Sequence, residues 1–517
     1  MSTRLLYLTV FTSGMTTLAV ELTASHLLAP VFGSSTLVWA SIIGLILIYL
    51  TAGYFLGGRW ADRSPYPRTF FGILAWGAFT AGLVPLLAKP VLPFAATAFD
   101  TLDFGVLAGS FLGVLVLFIV PITLLGCISP FAIRLAVKRT SEAGTIAGRI
   151  YAISTLGSFI GTFLPVLILI PLMGVAATFL IFSLTLLILA LVGLGYTSSP
   201  RAALTLSWMP LALIILYLLV GRLPIKTTEG QVYESQSAYN YIEVLESNGF
   251  TLLRLNEGQG IHSIYHPTEL FYGGPWEQVL PAPFFNADFN PDQVRALGII
   301  GLAGGTTARQ ATAVFGPIPI DGWEIDPAII EVGRKYFGMT LPNLNALAED
   351  GRWGLAHSDR LYTIISVDAY RVPYIPPHLT TQEFFQTVYN HLTPGGAMTI
   401  NVGRAPNDRR LVDGLVGTIS TIFPSVYVMD IPATFNSIVY ATKQPTTFDN
   451  FTANLARLLA DPTVHPLLLR AMTVLAENLQ PTPDSQTVFT DDHTPIEWLT
   501  NGLVLSFILS GGTEDLK

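Results

Sequence analysis

The sequence predicts a polytopic α-helical membrane domain followed by an α/β domain built on a doubly wound sheet, with a small β-hairpin region between them. Three observations carry this. Only 12% of the 517 residues are charged and 51% are hydrophobic, against about 25% charged in an ordinary soluble protein. Seven apolar stretches precede Arg222, each long enough to cross about 30 Å of hydrocarbon. From Val294 to Asp326 the chain then changes character and reads as strand, glycine turn, helix and strand, the pattern of one nucleoside-binding half of a doubly wound sheet. The expected divisions are a membrane domain over 1–222, a junction and small β region over 223–290, a Rossmann-like domain over 291–447 and a helical segment over 448–517.

The seven stretches lie near 5–32, 36–58, 69–88, 105–133, 150–171, 174–196 and 202–221. The first is too long for a secretory signal and lacks a small-residue cleavage pattern, so it reads as a retained span. Arg and Lys fall in alternate connections: Arg59, Arg63 and Arg68, then Arg134, Lys138, Arg139 and Arg149, then Arg201. By the positive-inside rule the amino terminus is cytoplasmic. Glu21 is a carboxylate inside the first span, read either as part of a cation or polyamine path or as a neutral group pinning helices. Gly53, Gly57 and Gly58, and Gly148, Ser154, Gly157 and Gly161, predict close helix packing. Prolines 121 and 130 predict a bent fourth span; the proline-broken stretch from Ala81 to Phe104 is where a re-entrant or extra short helix would lie if the count of seven missed one. Cys127, the single cysteine, forms no intrachain disulfide.

The two halves differ in charge. Residues through Arg222 hold 11 Lys and Arg against 5 Asp and Glu, and the remainder holds 16 against 30. An acidic second half argues against a nucleic-acid partner, which needs clustered cations, and suits a cationic small molecule. The alternation in Tyr241–Glu246 and Thr251–Leu255 predicts a hairpin. In the α/β part, Gly301, Gly304 and Gly305 make the turn, and Glu324-Ile325-Asp326 ends the second strand about twenty residues on. Such glycines allow close backbone approach to a ligand, and such a carboxylate accepts from ribose hydroxyls; a tight βα turn with no ligand is the alternative. Asp350, in Glu349-Asp350-Gly351, and Asp368, after the strand Tyr362–Val367, extend the series to three acidic strand ends. The carboxyl edge of an open α/β sheet is where ligands bind. No Cys and His cluster has metal-ligand spacing, so no metal is expected; His262 and His378 read as structural.

In this order the motifs resemble the spermidine synthases, or polyamine aminopropyltransferases, which share the fold of S-adenosylmethionine-dependent methyltransferases. The likeness is to the membrane-fused branch of that family. Gly57-Gly58-Arg59-Trp60-Ala61-Asp62-Arg63, the stretch Gly148–Ser158, Pro376–Phe385 and Thr490–Glu497 support it, so it covers nearly the whole chain. The resemblance implies that Gly301, Gly304 and Gly305 underlie the nucleoside, Glu324 with Asp326 holds the ribose end, and Asp350 with Gly351 contacts adenine. Asp368 would take a proton from the attacking amine. The implied ligands are a small-molecule amine and an adenosylated sulfonium, decarboxylated S-adenosylmethionine as substrate or S-adenosylmethionine itself.

The sequence departs from the soluble enzymes at three places. Thr306 and Thr307 stand where their glycine turn carries an aspartate, Arg371 stands where a second aspartate follows the strand-end one, and their Tyr-Gln-Glu loop is represented by Gly273–Gln278. Arg371 suits a carboxylate. Asp491, Asp492 and Glu497 would restore negative charge if the tail folds over the site, or else cap the helix near Pro495. Three readings follow: an aminopropyltransferase, a methyltransferase using S-adenosylmethionine, and a non-catalytic membrane subunit or transporter that senses a nucleoside or polyamine. The expected setting is the cell (inner) membrane, with the lipid bilayer as partner and homo-oligomers allowed. Seven spans put the soluble half outside the cytoplasm, whereas adenosylated cofactors are made inside it.

Overall fold

In a computed structural model, which describes residues 2–32, 36–99, 105–221, 228–256, 260–370 and 374–509, the chain divides into two units. One comprises Met1–Ile242 with Leu255–Gly258, the other Glu243–Arg254 with Gln259–Lys517. The first unit is helical: α1 (Thr3–Phe32), α2 (Thr36–Arg63), α3 (Pro67–Phe99), α4 (Gly105–Gly126), α5 (Ile128–Ala136), α6 (Ala143–Leu164), α7 (Ile170–Thr197), α8 (Pro200–Leu204) and α9 (Trp208–Leu216). The prolines beyond Ala81 do not break α3, which runs on to Phe99. Pro121 lies inside α4, and the helix is interrupted at Cys127 before α5 begins.

Among the described residues, six helical stretches are long and apolar enough to cross a membrane, which is consistent with a multi-pass membrane protein. Seven were expected; the difference lies in Thr140–Thr197, a single stretch of 58 residues. That is roughly 87 Å of ideal helix, almost three times the hydrocarbon thickness. A π-turn at Pro165–Leu169 joins α6 to α7, and the backbone leaves the helix at Gly174 (φ 80°, ψ 171°). The packing shows that direction reverses there. A Cβ on Gly157 or Gly161 would collide with the carbonyl of Phe11 or Met15, so α6 runs parallel to α1. Ser183 donates to the carbonyl of Ala78 and Gly193 lies on Phe71, so α7 runs antiparallel to α3. Both α1 and α3 oppose α4, through Phe32 at Gly109 and Gly77 at Leu124.

These contacts are where the absent side chains matter. Gly53 faces the carbonyl of Thr123, Gly57 faces Cys127 and Gly14 faces Ser154, whereas Gly58 and Gly148 have nothing within 4 Å of a Cβ position. The two latter glycines therefore do not serve the close packing expected of them. Outward-facing side chains are large and apolar, among them Phe55, Leu172 and Leu219.

The helices are followed by a four-stranded sheet in sequential order, β1 (Gln231–Gln236), β2 (Tyr241–Ser247), β3 (Phe250–Leu255) and β4 (Ile261–Tyr265). The expected hairpin is its centre. It turns on Asn248 and Gly249, both with positive φ (52° and 85°), as a two-residue turn matched to strand twist requires. The flanking strands extend it beyond a hairpin.

The main sheet has eight strands: β5 (Leu297–Ile300), β6 (Ile320–Trp323), β7 (Leu344–Leu347), β8 (Tyr362–Val367), β9 (Leu392–Gly403), β10 (Ser425–Asp430), β11 (Asn436–Thr442) and β12 (Leu479–Gln480). Their spatial order is β12-β10-β11-β9-β8-β5-β6-β7. β7, β6, β5, β8 and β9 are parallel, and β11 enters antiparallel beside β9. Helices α10 (Thr306–Phe315), α11 (Pro327–Tyr336), α12 (Gly351–Ala356), α13 (Gln382–Asn390) and α14 (Arg410–Ser420) make the crossovers; α15 (Phe448–Leu459), α16 (Pro466–Asn478) and α17 (Ile496–Leu509) follow. The strands are apolar on both faces because both are covered. Leu297, Ile299, Ile320 and Ile364 join one core, and Ile300, Ile365, Val367 and Ile400 the other.

The helix packing sets a test. Gly161→Leu should lower the thermal midpoint of the detergent-solubilised chain by several degrees, because the carbonyl of Met15 leaves no room. Gly148→Leu, facing open space, should leave it unchanged. Equal midpoints for the two variants would refute the assigned α1–α6 contact.

Candidate functional site

The site is built by register. Ile300 of β5 pairs with Trp323 of β6 and with Val367 of β8, and Val367 pairs with Ile400 of β9. The next residue on each strand, Glu324, Gly301, Asp368 and Asn401, therefore stands at one level along the carboxyl edge, at steps of about 4.8 Å. The crossover direction reverses between β5 and β8, and that switch point is where an open α/β sheet binds its ligand.

Gly301 (φ 88°) begins the turn. A Cβ there would stand 2.5 Å from the carbonyl oxygen of Asp368 and 2.7 Å from the Cα of Ala369. Only glycine lets the two strand ends approach this closely. Ala303 also has positive φ (49°), an uncommon state for a residue with a side chain, and its N–H donates to Glu324 Oε2 at 3.0 Å. Gly304 donates its N–H to Ser263 Oγ at 2.8 Å, and its missing Cβ would meet Ser263 and Phe337. A Cβ on Gly305 (φ 82°) would meet Met339. These two glycines thus serve packing of the turn against its own domain.

Glu324 is 8% exposed. Burial raises its carboxyl to about 7, against the opposing N–H groups of Asp326 and Ala303. The Asp326 N–H reaches Oε1 at 3.2 Å. Two of roughly four lone-pair directions of a carboxylate are thereby used, which leaves acceptors for a ligand's hydroxyls. Asp326 itself is fully buried and caps α11, accepting from Ala328 N at 3.1 Å.

Asp350 follows β7 and caps α12, with Oδ1 accepting from Trp353 N at 2.9 Å and Oδ2 lying 2.9 Å from His378 Nε2. The hydrogen bond with His378 is the main cause holding this carboxyl down at about 2. Gly351 packs against Ile300, seating the start of α12 on β5. Asp368 keeps part of its side chain open at the sheet edge. The surrounding protein nonetheless pushes its carboxyl up to about 7, opposed by a hydrogen bond from Asn401 Nδ2 at 2.9 Å. Tyr370 donates its hydroxyl to the backbone carbonyl of Asn401 at 3.1 Å, and burial, then the Asp368 charge, raises its own pKa.

Register thus brings together Gly301, Glu324 and Asp368, with Asp350 one loop beyond β7. Arg371 lies outside the described residues. Asp491 reaches α12, but its carboxylate is matched by Arg352 in a two-pronged ion pair, both contacts 2.7 Å, and accepts from Thr381. Asp492 is exposed and Glu497 lies in the first turn of α17. The tail touches the helix that Asp350 caps, with the charge of Asp491 already countered. His262 is held neutral by burial, its pKa lowered to about 4. Among the described residues no group of three or more His, Cys, Asp or Glu side chains is placed to hold a metal.

Sequence reasoning missed Asn401, Ser263, Tyr370 and the His378 contact. Ser263 and Gly304 are 41 residues apart and Asn401 and Asp368 are 33 apart, joined only by the fold. The one available signal was Asn401, an amide between Ile400 and Val402 near the end of β9.

No family model matches the chain. A probable polyamine aminopropyl transferase of Bifidobacterium longum is 30% identical over 280 residues, 52% of this chain and 61% of that relative. The chain thus spans less than two thirds of it. A polyamine aminopropyltransferase of Vibrio vulnificus is 27% identical over 213 residues, 39% of this chain and 68% of the relative. Among solved structures, spermidine synthase from Thermotoga maritima aligns with a TM-score of 0.39 and 20% identity, over 48% of this chain and 84% of that one. By sequence the chain is similar to the polyamine aminopropyltransferases over about half its length, and its own structure carries a Rossmann-like α/β region after a half made of long apolar helices.

Proposed function

We propose that the chain transfers the aminopropyl group of decarboxylated S-adenosylmethionine to a small amine such as putrescine, from a soluble region anchored to a lipid bilayer. The observation that carries this reading is Asp368, a carboxyl raised to about 7 and level with Gly301 and Glu324 on the sheet edge. The relatives' activity supports it. A general base is most effective with a pKa near the working pH. An amine is protonated at neutral pH, so one proton is lost to solvent before attack, and the carboxylate takes the second, released as the new bond forms.

In this reading Glu324 accepts from the ribose hydroxyls with its remaining lone pairs, and the turn from Gly301 supports the nucleoside. The amine nitrogen forms a bond to the methylene next to the sulfonium. The carbon–sulfur bond breaks, its electrons stay on sulfur, and methylthioadenosine leaves. The proton released from nitrogen goes to the Asp368 carboxylate. Asp350, tied to His378 and to the start of α12, stands at the adenine end.

Calorimetry with methylthioadenosine and S-adenosylhomocysteine, with a transfer assay, tests the reading. Glu324→Ala should abolish nucleoside binding in a folded chain. Asp368→Asn should remove transfer and leave nucleoside affinity within about three-fold. Methyl transfer from S-adenosylmethionine would favour the methyltransferase alternative, and absence of any nucleoside binding the non-catalytic one.

The pH dependence has a definite sign. Both site carboxyls are raised to about 7, so their charged forms appear only as pH rises through that value. The acid limb of kcat/KM should lie near 7 rather than near 4, the ordinary carboxyl range. A raised folded pKa adds stability below the unfolded value and loses it as pH climbs to the folded one. Asp368→Asn should therefore melt higher than the parent at pH 8 but not at pH 4. An acid limb near 4, or equal melting at pH 8, would remove Asp368 as a buried base.

The side of the membrane is a separate proposal. Positive charge in alternate connections and an odd number of reversals argue that residues 223–517 lie outside the cytoplasm. Alkaline phosphatase fused after Lys517 should then be active. A fluorescent protein that matures only in the cytoplasm, if bright there, would overturn this topology and leave the transferase reading intact.

A further inference from the structure

Asn401 is 7% exposed, and its amide is divided between two tasks. Nδ2 donates to Asp368 Oδ1 at 2.9 Å. Oδ1 is buried and has no hydrogen-bond partner among the described residues. The amide cannot turn over while Asp368 is ionised, because that would set oxygen against oxygen. Its backbone is also fixed, paired with Ile438 of β11 and receiving the hydroxyl of Tyr370 on its carbonyl. A rigid acceptor beside the proposed base, out of reach of solvent, is a costly arrangement unless a partner arrives.

We infer that Asn401 Oδ1 is a second acceptor for the attacking nitrogen and sets the direction of its lone pair. This rests on the transferase reading above and adds to it a residue that binds and aims the amine. A neutral primary amine carries two N–H bonds and one lone pair. With one N–H on the free oxygen of Asp368 and the other on Asn401 Oδ1, the lone pair has a single direction left, toward the methylene under attack. As the carbon–nitrogen bond forms and the carbon–sulfur bond breaks, the nitrogen becomes positive and its proton passes to Asp368. The Asn401 contact strengthens as that charge develops, since hydrogen bonds to charged groups are the stronger ones. A secondary amine has one N–H and satisfies only one of the two acceptors.

The experiment compares putrescine with its N,N′-dimethyl derivative at pH 9, where Asp368 is ionised whatever Asn401 donates. Transfer is measured, together with calorimetric binding of each amine to the chain saturated with methylthioadenosine. The parent should prefer putrescine by about ten-fold, the worth of one hydrogen bond. In Asn401→Ala and Asn401→Leu that preference should fall to near unity, with methylthioadenosine affinity unchanged as the check on folding. A preference that survives in both variants would mean that methyl bulk, not the second acceptor, sets it, and would overturn the inference while leaving the transferase reading in place. A parent chain that transfers to neither amine would remove both.

Discussion

The close approach of the β5 turn to the end of β8 is the constraint on which the site depends. Gly301 has no Cβ because the backbone of Asp368 and Ala369 occupies that space. Parallel pairing then sets the level of every neighbouring strand end, since Ile300, Trp323, Val367 and Ile400 are in register. A side chain at Gly301 would push β5 and β8 apart and separate the glycine turn from the carboxyl beside it. The nucleoside end and the amine end of the proposed site are thus held together by backbone geometry rather than by any contact between functional side chains.

Burial does the next part of the work. Glu324 and Asp368 are both raised toward neutrality by the surrounding protein, and each is only partly compensated, by two N–H groups in one case and one amide in the other. Asp350 is the contrast: it lies nearer solvent, hydrogen-bonded to His378, and is held low. Three carboxyls of similar position in the strand pattern therefore differ in protonation for reasons of environment alone. Charge separation of this kind is common where groups are tuned for chemistry.

The helical half follows another rule. Between apolar helices in an apolar medium there is little hydrophobic drive, so packing rests on small residues that bring backbones together. Gly14, Gly53, Gly57, Gly157 and Gly161 do this, each against a backbone atom of a neighbouring helix. Gly174 does something different: its extended ψ at positive φ breaks the longest helical stretch where direction changes.

The sequence by itself determined the element types and placed the glycine turn and three carboxyls at strand ends. Hydrophobic length marked the helical half, alternation in Tyr241–Glu246 and Thr251–Leu255 marked the hairpin, and the glycine turn with acidic strand ends at 324, 350 and 368 marked the sheet edge. These are local signals, set by periodicity and turn chemistry. Tertiary structure alone decided what those positions touch. It assigned Asp326 to a helix cap, gave Gly304 and Gly305 to packing, matched Asp491 with Arg352, and set Asn401 beside Asp368. It also showed that the prolines after Ala81 leave α3 continuous and that Gly58 and Gly148 face open space. Each of these depends on which strands or helices become neighbours across tens of residues, and strand register is not written in the composition of either partner.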